Sequence, residues 1–167
     1  MKQEIKQAFN EQGYSFLLPI QEKAIPQILS RKNLFIQAAT GSGKTLAYLL
    51  PALEIADSAS NDTQILIITP TRELALQVSE VAKNIANYSK HHIVTVIGGL
   101  DIHKQENALR HRPTIIIGTP GRLMDLYSQK KIDLSHLLLC VVDEVDMVIS
   151  TGQRKETEYL LQHTDTQ

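Results

Sequence analysis

Cysteine is nearly absent: Cys140 is the only one in 167 residues. A lone thiol excludes an internal disulfide framework and a cysteine zinc cluster, and it fits a reducing compartment. Long apolar runs are lacking too. The longest, "LLLCVV" (137–142), is far too short to cross a bilayer, and the N-terminal "MKQEIKQAFNEQ" has no signal-peptide apolar core. These absences point to a soluble cytoplasmic chain with no membrane partner. An excess of charge of either sign is also missing. The formal net charge is -1 and the isoelectric point about 6.6, so composition carries no basic footprint of the kind that marks a nucleic-acid binder. Any such activity has to rest on local sites. The six prolines and eight glycines are scattered. No segment repeats or is low in complexity, so the chain reads as one folded domain rather than a disordered one.

What is present is an alternation. Short apolar runs at 33–37, 64–69, 93–97, 114–118 and 137–142 are rich in Ile, Val and Leu, and their largely continuous apolar character predicts strands buried on both faces of a parallel sheet. Between them, "GKTLAYLLPALEIA", "TRELALQVSEVAKNIANYS" and "LDIHKQENALRH" have helical spacing, and "TPGRLMDLYSQ" opens another helix. Strand following helix following strand predicts an α/β fold, a mostly parallel central sheet flanked by helices, with ligands at the carboxyl ends of the strands. The polar stretch "DSASNDT" (57–63) reads as a surface loop.

The strongest chemical signal is "AATGSGKT", Ala38, Ala39, Thr40, Gly41, Ser42, Gly43, Lys44 and Thr45. A loop of this kind between a strand and a helix can wrap backbone N–H groups around phosphate oxygens, and the helix N-terminus adds its positive end. Gly41 and Gly43 permit the tight turn. Lys44 supplies a mobile cation for the β and γ phosphates, and Thr45 a hydroxyl for Mg²⁺. Ala38 stands where the general P-loop pattern has glycine. A second acidic strand end completes such a site, and "VVDEVD" (141–146) supplies it: Asp143 for Mg²⁺, usually through the ion's water shell, and Glu144 to orient and deprotonate the attacking water. By itself, that tetrad is equally a charged turn after a buried strand.

Further motifs narrow the reading. "GYSFLLPIQEKAIP" lies upstream, "PTRELALQ" spans 70–77, "GG" occupies 98–99 and "TPGR" spans 119–122. Together with the P-loop and "DEVD", in this order, they resemble the DEAD-box RNA helicases over almost the whole chain. The resemblance implies a RecA-like P-loop domain over 1–167, with a Q motif at about 9–26 and ATP and Mg²⁺ as cofactors. It implies that Gln21 reads adenine, for which an amide has a matching donor and acceptor. It also implies that Pro70, Thr71, Arg72, Gly99, Thr119, Gly121 and Arg122 hold RNA through its sugar-phosphate backbone, without reading bases. Read as residues alone, Gln21 is equally a glutamine at a helix start, Arg72 an ion-pair partner and Gly98–Gly99 a turn.

The chain departs from the family pattern at several places. Glu4 stands where an adenine-stacking aromatic is usual, Leu18 where threonine precedes Pro19, and Gln153 where an aromatic often follows the glycine after motif II. Val145 replaces the usual alanine. The sequence stops before the Ser-Ala-Thr motif that the resemblance places next, to which Asp146 would couple. The second RecA-like domain, with its arginine fingers, is also missing. The implied function is therefore the N-terminal, ATP-binding half of an ATP-dependent RNA helicase, catalytic through Lys44 and Glu144 in a longer parent and nearly inactive alone. Two other readings stay open: a DNA-directed helicase or translocase, and a nucleotide-gated RNA-binding module without catalysis.

Overall fold

The computed structural model describes residues 1–164. Four short strands, β1 (Ile65–Ile68), β2 (Ile93–Val96), β3 (Ile115–Gly118) and β4 (Leu139–Val142), pair in parallel in the order β2-β3-β1-β4. The register sets Ile65 beside Ile115 and Leu139, and Ile68 beside Gly118 and Val142. Helices α1 (Gln3–Glu11), α2 (Pro19–Leu29), α3 (Lys44–Ile55), α4 (Arg72–Ile85), α5 (Ile102–Arg110), α6 (Pro120–Ser128), α7 (Val145–Ser150) and α8 (Arg154–Gln162) complete it.

Side chains of successive strand residues leave the sheet on opposite faces, and both faces of this sheet are covered. Ile65, Ile67, Ile115 and Ile117 join one core with residues of α1 to α4, including Ile5, Phe9, Leu49 and Val78. Leu66, Ile68, Val94, Val96 and Ile116 join the other with Leu109, Leu123, Leu126 and Leu160 from α5, α6 and α8. That is why the strands read as continuous apolar runs. The segment 57–63 is a loop, as its composition predicts. Phe9 is buried beside Ile5 on α1, so it serves the core.

The expected strand at 33–37 does not form. Leu34 is 42% and Phe35 80% exposed. A strand is stabilised by pairing, and this segment lies across a cavity of about 1050 Å³ from β4, whose far edge has no neighbour among the described residues, so Leu34 and Phe35 have no ladder to join.

Candidate functional site

The parallel order places the loops after β1, β3 and β4 at one end of the sheet, beside the start of α3. There, Gly43 precedes α3 with φ 89° and Gly41 has φ 79°, left-handed values that glycine adopts at little cost. Ser42 N–H closes a turn on the Ala39 carbonyl. Lys44 Nζ donates to the Ala38 carbonyl and, at 3.0 Å, to that of Ala39. Ala39, Thr40 and Gly41 are exposed, and Ser42 Oγ is buried with no hydrogen-bond partner. The loop therefore holds its lysine over a short arc of backbone, next to the free N–H groups of the first turn of α3.

Gln21 is 2% exposed and works inside the protein. It lies at the third position of α2, after Pro19, whose missing N–H suits a helix start. Its Oε1 accepts from Leu18 N–H at 2.9 Å and its Nε2 donates to the Gly43 carbonyl at 3.1 Å. A Cβ at Gly43 would come within 2.5 Å of Nε2, so a larger residue there would displace the Gln21 amide from its bond to the loop. Each half of the amide retains one further hydrogen-bonding position.

On the other side of the cavity, Asp143 ends β4 at 8% exposure. Its Oδ2 accepts from Tyr48 Oη at 2.8 Å and its Oδ1 from Glu144 N–H at 3.0 Å. Burial first, then the Asp143 charge, pushes the Tyr48 phenol far above its ordinary range, and the Thr45 hydroxyl opposes that shift. The phenol is thus a donor fixed on Asp143. Glu144 is exposed and left-handed at φ 47°, starting α7. A non-glycine residue there is strained by roughly 1–2 kcal/mol, and such strain clusters at working sites. Thr40, Lys44, Asp143, Glu144 and Asp146 line the same cavity.

The RNA candidates occupy the adjacent part of this edge. Thr71 caps α4, its Oγ1 accepting from Leu74 N–H at 3.1 Å. The Arg72 guanidinium lies over Gly99, where a Cβ would come within 2.0 Å of Nη1. Among the described residues Arg72 has no carboxylate within 4.0 Å, so the ion-pair alternative is not what the structure contains. Gly99 itself has φ 77°, so the doublet is both a turn and a seat for Arg72. Thr119 N–H donates to the Val96 carbonyl, Gly121 is exposed, and Arg122 Nη1 is buried without a partner. Gln153 Nε2 donates to the Pro70 carbonyl at 2.9 Å.

A family model described as DEAD/DEAH box helicase matches residues 18–167. The chain belongs to the DEAD/DEAH box helicase family. It is 41% identical over 162 residues to the ATP-dependent RNA helicase CshA of Listeria monocytogenes serovar 1/2a, covering 96% of this chain and 31% of that protein. To the DEAD-box ATP-dependent RNA helicase CshA of Bacillus subtilis strain 168 it is 36% identical over 167 residues, 100% of this chain and 34% of the relative. The crystal structure of a hypothetical ATP-dependent RNA helicase from Sulfolobus tokodaii superposes with a TM-score of 0.92 at 36% identity, covering 100% of this chain and 48% of that one. The fold is accordingly that of a RecA-like α/β domain. This helicase-family chain spans about a third of the length of the curated relatives it matches.

Two contacts of the site had only faint sequence signals. Tyr48 falls three residues after Thr45, on the same helix face, a spacing that could have marked it as a partner for the metal-side acid. Gln153 was visible only as a departure from the family pattern, and nothing local announces its bond to Pro70.

Proposed function

We propose that this chain is the ATP-binding N-terminal RecA-like half of an ATP-dependent RNA helicase. In that reading it couples nucleotide binding and hydrolysis to local RNA duplex unwinding or RNA–protein remodelling in the cytoplasm. The observation that carries the reading is the convergence of Lys44, Asp143 and Glu144 on one cavity at the carboxyl end of the sheet. Residues 38–45 would cradle the phosphates, with Lys44 moving from its loop carbonyls to the β and γ oxygens. Gln21, already bonded to Gly43, would use its remaining positions on adenine.

The donor set suits Mg²⁺. That ion prefers oxygen ligands, keeps several waters and is usually held by one or two carboxylates plus substrate phosphates. Asp143 and Thr45 offer one carboxylate and one hydroxyl, and Tyr48 holds the Asp143 carboxylate in place. When bound, the ion would neutralise charge on the transferring phosphate. Glu144, exposed at its strained position, would orient the attacking water and take its proton. Pro70, Thr71, Arg72, Gly99, Thr119, Gly121 and Arg122 would hold the RNA sugar-phosphate backbone at the neighbouring edge. A second RecA-like domain in the longer protein would supply the arginine finger, worth on the order of 10³–10⁵ in rate, and would meet Asp146 through the Ser-Ala-Thr segment.

In the full-length protein, Lys44→Ala is expected to abolish ATP binding. Glu144→Gln should leave binding intact while lowering the RNA-stimulated turnover number by about 10²–10⁴, the range for a general base. Steady-state ATPase assays with and without RNA check both. Turnover in the parent that is indifferent to RNA would defeat the helicase reading.

A further inference from the structure

Residue 153 connects two parts of the site that the sequence keeps far apart. It follows Gly152, which is left-handed at φ 77°, and it precedes α8. Its Nε2 reaches the Pro70 carbonyl in the loop after β1. Its Oε1 is buried and has no partner among the described residues, so the amide is oriented by this one bond. A flipped amide would set Oε1 against the Pro70 oxygen, which is repulsive.

That bond fixes more than a carbonyl. In a trans peptide the C=O and the following N–H point in opposite directions. Drawing the Pro70 oxygen toward Gln153 therefore turns the Thr71 N–H away from α8. Among the described residues the Thr71 N–H has no hydrogen-bond partner, while the Thr71 hydroxyl is occupied by Leu74 N–H. The Pro70–Thr71 peptide thus offers one directed backbone donor beside Arg72, at the start of α4, whose positive end favours an anion.

We propose that Gln153 is a positioning residue for RNA: by holding the Pro70 carbonyl it aims the Thr71 N–H at a phosphate of the bound strand. This rests on the RNA reading given above. The same glutamine is joined to Glu144 by α7, a six-residue helix, and the Thr151–Gly152 turn, so one short stretch links the proposed water-activating acid to the RNA-facing peptide.

The test uses the full-length protein carrying Gln153→Met, which keeps side-chain length and neutrality and removes the donor. RNA-stimulated ATPase kinetics with a single-stranded oligonucleotide are expected to show KM for RNA raised about tenfold, the scale of one hydrogen bond to a charged group. Turnover number, KM for ATP and Tm are expected to stay at wild-type values. A KM for RNA within twofold of wild type overturns the proposal. So does a parallel loss of ATP affinity and Tm, which would show a merely structural role. Arg72→Ala, run alongside, separates the two readings. If Arg72→Ala weakens RNA stimulation and Gln153→Met does not, only the role of Gln153 fails. If RNA affects neither the wild type nor the variants, the RNA reading itself fails. Should Gln153→Met unfold, Gln153→Ala is judged by the same kinetic split.

Discussion

At the scale of single residues, the site depends on side chains whose polar atoms face inward and outward at once. Tyr48 shows this best. Its hydroxyl donates to Asp143 Oδ2 from a buried position; were Asp143 to hold Mg²⁺ as proposed, Tyr48 would stand one step removed from the ion, where a partner typically accounts for 10- to 100-fold in affinity. Tyr48→Phe is expected to weaken Mg²⁺-dependent ADP binding about tenfold and to leave metal-free binding nearly unchanged, as calorimetric titrations with and without Mg²⁺ would show. An equal loss in both would mean that the phenol positions no metal ligand. The convergence of the glycine loop with the acids Asp143 and Glu144 on one cavity was legible in sequence because the chemistry expected of them needs fixed residue types at fixed spacing. Tyr48 was not, because an aromatic residue on an apolar helix reads first as core. Gln21 was legible as a candidate, but its bond to Gly43 depends on how α2 packs, which spacing does not encode.

Among elements, the helix ends carry a consistent choice. Lys130 follows α6 at φ 57°, with its N–H on the Tyr127 carbonyl and the Lys131 N–H on that of Leu126. This is the paired-bond stop that usually takes glycine. Arg31 does the same after α2, its N–H on Ile28 and that of Lys32 on Gln27. A cation there favours the negative end of the helix but accepts left-handed strain. Lys130→Gly is expected to raise stability by about 0.5–1 kcal/mol, seen as a higher urea midpoint with an unchanged slope. An unchanged or lower midpoint would show that the charge outweighs the strain. The central strands and the long helices were legible because their apolar spacing is unambiguous. The segment 33–37 was misread because Leu34, Phe35 and Ile36 have strand composition, whereas strand formation needs a neighbour that composition cannot show. No helix was read after residue 142, where α7 is six residues long and α8 nine.

For the whole molecule, β4 ends the sheet with one edge unpaired among the described residues. The Leu139 and Asp143 amides donate to the Gln64 and Ile68 carbonyls beside β1, so the alternate amides, those of Cys140 and Val142, face the unpaired side. Hydrogen exchange is expected to be fast at Cys140 and Val142 and slow at Val141 between them. In a longer chain containing the strand that the family resemblance places next, exchange at both fast sites should slow. Uniformly slow exchange in the present chain would mean that the edge is already covered. The Cys140 thiol, pushed up to about 12 by burial, stays protonated at neutral pH, so it offers little thiolate for chemistry from that edge. The tie between Gln21 and Gly43 has a wider consequence. In the proposed reading one amide would meet the base while it holds the loop at Gly43, so a nucleotide whose base competed wrongly for that amide would loosen the grip on its own phosphates. Selectivity for the base would thereby be multiplied by the loop instead of being added to it.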